Sequence, residues 1–263
     1  VTCYLCGSTA SEVIAKKEDI RFGCFASDKN VVRCLSCGLV QLSPPWTSEE
    51  LDQLYQNYWE KKDFPGQKRK VKISKYLKDY IYKSDQVLEV GCGYGDNVDY
   101  LRSKGIQTIG IDKNKSVCDG ITKFNWDWKD YNPVDKLDVI YAIHLFEHLL
   151  DPKEFIKWIH KNSRDFIIEI PCIDDVLMKL PSYRKFCWYP YHLFFYSMKT
   201  ARLLFGPKVR IFYRQEYGII NHLRWFFLGR PGNYNRKIPI LDWIYKLILK
   251  RLGYGDTLVI CTI

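Results

Sequence analysis

The sequence predicts an α/β fold: a doubly wound, mostly parallel sheet with a small metal module early in the chain and a helical insertion before the last strand. Three observations predict it. From residue 85 onward, apolar runs of strand length alternate with segments of helical periodicity. Two CxxC pairs lie within the first 45 residues, and a glycine-rich turn follows directly on the first strand of the alternating region. At 263 residues the chain is long enough for one large domain with appendages.

Cys3-x-x-Cys6 and Cys34-x-x-Cys37 come first. A CxxC turn sets two thiolates on one side of a tight knuckle, and the glycines that follow, Gly7 and Gly38, permit close backbone approach. Two knuckles complete a tetrahedral four-sulfur site suited to Zn2+. Protein ligands fill all four positions, so the metal is expected to be structural; a pair of redox dithiols is the alternative. The 27 residues between the pairs exceed a compact zinc ribbon, so further structure is expected inside the loop. The module is assigned to residues 1–45. Cys24, Cys92, Cys118, Cys172, Cys187 and Cys261 stand in apolar or loop contexts and read as reduced thiols.

Residues 46–83 read as a helical linker or lid. Two helices, "SEELDQLYQNYWEKK" and "KRKVKISKYLKDYIYK", are separated by Pro65-Gly66, and Thr47 or Ser48 is placed to cap the first. Residues 84–263 form the main domain. "QVLEVG", "IQTIGID", "LDVIYAI" and "DFIIEIP" are its strands, with helices at "DNVDYLRSKG", from Lys115, and at "DPKEFIKWIHKN". "MKTARLLFG" is a further helix, and "VRIFYRQEYG" and "DTLVICTI" are closing strands. Strands separated by helices imply a parallel sheet covered on both faces. Between the closing strands, residues 219–253 form the insertion, two amphipathic helices joined by "RPGNYNRK".

The net charge of +10 is localised. Residues 199–253 hold twelve Lys or Arg and only two acids, Glu216 and Asp242, which accounts for the whole excess. Such a region implies an anionic partner. No apolar run approaches the roughly 18 residues of a membrane span and no signal peptide opens the chain, so a cytoplasmic protein is expected.

The glycine turn reads "VLEVGCGYGDN": Gly91, Cys92, Gly93, Tyr94 and Gly95, with Glu89 before it and Asp96 after it. A dinucleotide loop would read GxGxxG, with the pyrophosphate at the helix N-terminus. Acids around the loop disfavour a phosphate and suit a cationic ligand. The segment resembles the first motif of class I S-adenosylmethionine-dependent methyltransferases, E/D-x-G-x-G-x-G. The resemblance continues at "GID", where Asp112, followed by Lys113, stands at the family's ribose-binding acid. It extends through Asp127-Trp128 at the adenine segment and "LDVIYAIHLFEHLLDP" at the fourth motif. It implies a Rossmann-like, seven-stranded sheet with S-adenosyl-L-methionine held by the loop, Asp112, Asp127, Trp128 and His144.

In a doubly wound sheet the site lies beyond the carboxyl ends of the strands. That places His144, Glu147 and His148 after the fourth strand, and Tyr189, Tyr191 and His192 after the fifth. An acceptor hydroxyl must lose its proton as the methyl arrives, and histidine suits the task of base. A four-cysteine module, the class I core, "EIP" and an aromatic-flanked histidine together resemble the sugar C-methyltransferases of deoxysugar pathways. There His148, His192 and Tyr189 match functional positions, while Tyr191 stands where the family has glutamate. The chain ending is similar to methyltransferases of polysaccharide assembly. The resemblance therefore implies a sugar acceptor, as nucleotide sugar, lipid-linked saccharide or glycan, with O-methylation ahead of C-methylation.

The insertion suits an anionic acceptor in two ways. Trp225, Trp243 and Tyr245 can stack on sugars while Arg224, Arg230, Arg236 and Lys237 hold a pyrophosphate. Alternatively its second helix lies on the inner face of a membrane, or packs on the sheet or in a homodimer. No DNA partner is expected. A zinc-containing RNA methyltransferase and a non-catalytic cofactor-binding module are the competing functions.

Overall fold

The computed structural model describes residues 1–19, 21–22, 25–26, 28–61, 81, 86–114, 122–124, 127–188, 191–215, 218–228 and 239–262. The second helix of the linker, the helix from Lys115, Cys24, Cys118, Tyr189, Arg230, Arg236, Lys237 and the side chain of Trp225 lie outside the described residues.

The chain divides into two compact units. One comprises Val1–Asn57, Ile170–Pro207 and Ile211–Val259, and the other Tyr58–Glu169, Lys208–Arg210 and Ile260–Ile263. The expected mostly parallel, seven-stranded sheet is present. Its strands are β6 (Gln86–Val90), β7 (Gln107–Ile111), β8 (Lys123–Phe124), β9 (Leu137–Ile143), β10 (Ser163–Pro171), β12 (Val209–Arg214) and β13 (Thr257–Thr262), in the order β12-β13-β10-β9-β6-β7-β8. β6 pairs in parallel with β7 on one side and β9 on the other, and β10 runs parallel to β9. The chain lays down β6, β7 and β8 in one direction, then returns to add β9 and β10 on the opposite side. The reversal at β6 is the switch point where such sheets open a crevice.

Local chemistry sets the helix boundaries. Helix α1 (Ser48–Lys61) starts at a reciprocal cap: Thr47 N–H donates to Glu50 Oε2 at 2.8 Å, and Glu50 N–H donates to Thr47 Oγ1 at 3.2 Å. Thr47, not Ser48, is therefore the cap. Helix α2 (Asp96–Ser103) follows the glycine turn, and the chain leaves it through Gly105 at φ +82°. In α3 (Pro152–Asn162), Asp151 accepts from Glu154 N–H at 3.2 Å and Pro152 takes the first turn. α3 packs Phe155 and Ile159, both fully buried, inward. Helix α4 (Pro181–Cys187) carries no sequence signal beyond its initial proline, and α5 (Met198–Phe205) is capped by Ser197 and Thr200.

The long cysteine loop holds the structure its length implied. Strands β1 (Ser11–Ala15), β4 (Asn30–Cys34) and β5 (Val40–Ser43) form an antiparallel sheet, with a small β2–β3 ladder (Arg21–Phe22, Phe25–Ala26) inside the loop. This sheet has a fourth strand from far along the chain, β11 (Phe194–Phe195), paired with β5 as Phe194↔Gln41 and Phe195↔Val40. Val31, Val40 and Leu42 share one core with Trp188 and Phe195, each fully buried apolar side chain contributing on the order of 1.5–3 kcal/mol. The N-terminal module is thus built together with Trp188 and residues 193–195.

Candidate active site

β6 ends at Gly91, and the next five residues change direction sharply. Gly91, Gly93 and Gly95 adopt φ of +73°, +52° and +75°, conformations that side-chain-bearing residues reach only with strain. At Gly91 space is also short, since a Cβ there would lie 2.9 Å from Leu145 Cδ1. The loop after β9 therefore packs directly against the glycine turn. Among the described residues, nothing lies within 4 Å of a Cβ built at Gly93.

The turn is tied to the end of β7. Gly91 N–H donates to Ile111 O at 2.8 Å, and Gly93 N–H donates to Asp112 Oδ2 at 2.8 Å. Asp112 Oδ1 accepts from Asn114 N–H at 2.8 Å. Burial raises the Asp112 pKa, and the amides of Asn114 and Gly93 oppose that rise. Each carboxylate oxygen accepts one backbone N–H. A carboxylate held beside the glycine turn is an acceptor group of the kind that suits a ligand carrying two adjacent hydroxyls. Lys113 is exposed and pairs with Asp127 at 3.3 Å, while Trp128 is buried edge-on against Phe155 and Trp158. Of the expected adenine pair, then, Asp127 is half-buried and held by Lys113, and Trp128 is buried among aromatic residues.

Glu89 takes a different role from an open acid. It is buried, Asn97 Nδ2 donates to its Oε1 at 2.9 Å, and the Tyr141 hydroxyl adjoins it. Burial pushes its carboxyl up to about 8; Asp112 and Asp96 add to the rise, and Asn97 and Tyr141 restrain it. The side chain locks the start of α2 to β6.

After β9 the chain turns through His144, a non-glycine residue at φ +51°. Such backbone costs on the order of 1 kcal/mol or more and concentrates at functional sites. His144 N–H donates to Glu169 O at 2.9 Å. A short 3-10 turn, Phe146–His148, then buries Glu147 between two imidazoles: Oε1 lies 3.5 Å from His144 Nδ1 and 3.7 Å from His148 Nε2. A buried carboxylate so placed stabilises an imidazolium, the arrangement a general base needs once it has taken a proton.

The four cysteines converge. Cys3 Sγ lies 3.6 Å from Cys37 Sγ, Cys6 Sγ lies 3.6 Å from Cys34 Sγ, and all four sulfurs are within 4.8 Å of one another. Sulfurs about 2.3 Å from a tetrahedral Zn2+ lie about 3.8 Å apart, so the set fits that ion. The two knuckles are equivalent, with Gly7 N–H bonded to Cys3 O and Gly38 N–H to Cys34 O, each at 2.9 Å. Burial pushes the Cys34 thiol up, but the Cys37 and Ser36 amides and the Cys6 and Cys3 thiols outweigh it and bring it to about 6.

His192 belongs to the same unit as the cysteines and precedes β11, whose strand partner β5 follows the second knuckle. Leu42 N–H donates to Leu193 O at 3.0 Å, Tyr4 packs on Phe194 with ring centroids 4.9 Å apart, and buried Tyr191 meets Tyr55 of α1. Nothing near His192 in the sequence signals this attachment.

A family model described as a methyltransferase domain matches residues 48–205, more than half of the chain. The chain belongs to that family of methyltransferases. No curated protein matches it. Among solved structures, a SAM-dependent methyltransferase from Archaeoglobus fulgidus is similar at 21% identity and a TM-score of 0.51, over 71% of this chain and 89% of that one. An S-adenosylmethionine-dependent methyltransferase from Mesorhizobium loti is similar at 12% identity and 0.45, over 71% and 94%. Coclaurine N-methyltransferase bound to N-methylheliamine and SAH is similar at 14% identity and 0.43, over 71% and 69%. The protein is an S-adenosylmethionine-dependent methyltransferase with the Rossmann-like fold of the Archaeoglobus fulgidus enzyme.

In this methyltransferase Glu89 should leave a pH signature on stability. The folded carboxyl keeps its proton to about 8, whereas the unfolded one ionises near 4.5. The unfolded chain thus binds fewer protons between these values, so Glu89's contribution is fully present below about 4.5 and is lost as pH rises through about 8. The neutral Glu89→Gln variant is expected to flatten this dependence, gaining on the parent protein as pH rises. Urea midpoints across that window, without S-adenosylmethionine, measure it.

Proposed function

We propose that this methyltransferase transfers the methyl group of S-adenosylmethionine to a hydroxyl of a sugar, carried as a nucleotide sugar or within a glycan. The observation that carries the reading is His148 beside buried Glu147, on a loop packed against the glycine turn. A hydroxyl acceptor needs a base where the methyl arrives, and a carboxylate-backed imidazole supplies one. Bound S-adenosylmethionine supplies an electrophilic methyl on its sulfonium. Asp112 accepts hydrogen bonds from the ribose, and the turn at Gly91–Gly95 receives the ligand. His148 takes the acceptor proton, with Glu147 stabilising the charge that results and His144 flanking the same carboxylate. His192 is the second candidate base, and its match and that of Tyr189 to the sugar methyltransferases support the sugar assignment. Tyr191 in place of glutamate favours oxygen over carbon as the methylated atom. Zn2+ at Cys3, Cys6, Cys34 and Cys37 is structural in this reading and anchors residues 191–195.

Asp112→Ala should lose both ribose contacts. Hydrogen bonds to a charged group contribute about 1.5–3 kcal/mol each, so donor affinity is expected to fall by about a hundredfold or more, read by calorimetry with a thermal melt as control. The acceptor is tested by incubating the full chain with methyl-labelled S-adenosylmethionine, a panel of nucleotide sugars and lipid-linked glycans, and total RNA. Label on a sugar oxygen is the expected result. Label confined to RNA, or on no acceptor, would overturn the reading.

A further inference from the structure

Two helices of the insertion, α6 (Ile219–Leu228) and α7 (Pro239–Arg251), turn their apolar sides outward. On α7, Ile240, Trp243, Ile244, Leu247 and Ile248 fall on one stripe at the spacing i, i+3, i+4, i+7, i+8. All five are exposed, Ile240 by 73% and Trp243 by 67%. The inward side carries Leu249 together with polar groups. Asp242 is buried and accepts from Ile219 N–H at 2.9 Å, and the Tyr245 hydroxyl meets Nδ1 of buried His222. α6 repeats the inversion, with Asn221 and His222 buried while Leu223, Phe226 and Phe227 are exposed. Among the described residues seventeen large hydrophobic side chains are exposed, and eleven of them lie between Leu223 and Leu252. A helix that only packs on its own domain has the opposite arrangement. An apolar face this concentrated marks a docking surface.

Charge selects the occupant. Residues 219–253 hold seven Lys or Arg against one acid, Asp242, whose carboxylate is the buried one. Lys250 and Arg251 stand exposed at the end of α7. A second copy of the chain would set this positive charge against itself. An anionic bilayer surface complements it and takes up Trp, Phe, Leu and Ile side chains at the boundary of headgroups and acyl chains. No described helix is long and apolar enough to cross a membrane. We propose that α6 and α7 dock this methyltransferase on an anionic lipid surface. The inference is independent of the acceptor's being a sugar.

The test is co-sedimentation of the full chain with vesicles of phosphatidylcholine alone or mixed with an equal share of phosphatidylglycerol. Binding to the anionic vesicles, weakening as salt rises, is the expected result. Phe226→Ser with Phe227→Ser, and separately Ile244→Ser with Ile248→Ser, should lower that binding by about tenfold or more. All four positions are exposed, so the melting temperature and the affinity for S-adenosylmethionine should stay unchanged. Lys250→Glu with Arg251→Glu should remove the preference for anionic over neutral vesicles while leaving the apolar face intact. Failure to bind anionic vesicles overturns the proposal. So does a stable dimer in sedimentation velocity that the serine variants dissociate, which would assign the face to a second copy.

Discussion

Cys34→Ser should release the N-terminal module and, with it, the strand that follows His192. Cys34 closes β4 and supplies one of four converging sulfurs, 3.6 Å from Cys6 Sγ. Structural zinc sites contribute apparent free energies of about 10–16 kcal/mol in isolated peptides, comparable with the stability of a whole ordinary domain. Much of that is lost when serine replaces a thiolate. The melting temperature is expected to fall by about 10 °C or more, and bound zinc to drop below one ion per chain. Hydrogen exchange gives the more telling readout. Amides of β5 and of residues 193–195 should lose protection together because they share one sheet, while those of β6, β7 and β9 keep theirs. A strong chelator added to the parent protein should reproduce the pattern. An unchanged melt with unchanged zinc content would remove Cys34 from the ligand set.

His148→Ala should slow methyl transfer by about a hundred- to ten-thousand-fold, the usual range for loss of a positioned general base. The affinity for S-adenosylmethionine should be unaffected, because the imidazole faces Glu147 and the donor is assigned to the glycine turn and Asp112. Glu147→Gln should cost less, about tenfold, since the carboxylate acts through the imidazole rather than on the acceptor. Added imidazole should restore part of the activity of His148→Ala but none to Glu147→Gln. Single-turnover transfer of labelled methyl separates these outcomes. Full activity in His148→Ala, with a large loss in His192→Ala, would move the base to His192.

The sequence was most readable where local pattern and final environment agree. The buried strands β6, β7, β9 and β10 are apolar-rich segments of strand length, and Asp151-Pro152 announces α3 by its own capping chemistry. The alternating glycines needed no structure to be recognised, because positive φ is a property of the residue itself. Burial was harder. Glu89 read as one of the acids beside the loop that suit a cationic ligand; its burial with Asn97 and Tyr141, which keeps its proton to about 8, was not legible. Trp128 read as an adenine contact, yet two aromatic residues of α3 enclose its ring. β8 and β11 have two residues each, too short to carry periodicity, and β11 finds its partner about 150 residues earlier. α6 and α7 were legible as amphipathic helices, but amphipathicity does not say which face turns inward. The buried pairings of Asp242 and of His222 with Tyr245, and the exposure of the Ile240–Ile248 stripe, show that the side bearing the polar groups does.

Titration calorimetry with S-adenosylmethionine tests most directly whether the turn at Gly91–Gly95 and Asp112 form the donor site. One-to-one binding by the full chain, weakened about a hundredfold by Asp112→Ala with the fold retained, is the predicted result. A folded protein that takes up no S-adenosylmethionine, or binds it equally well without the Asp112 carboxylate, would contradict it.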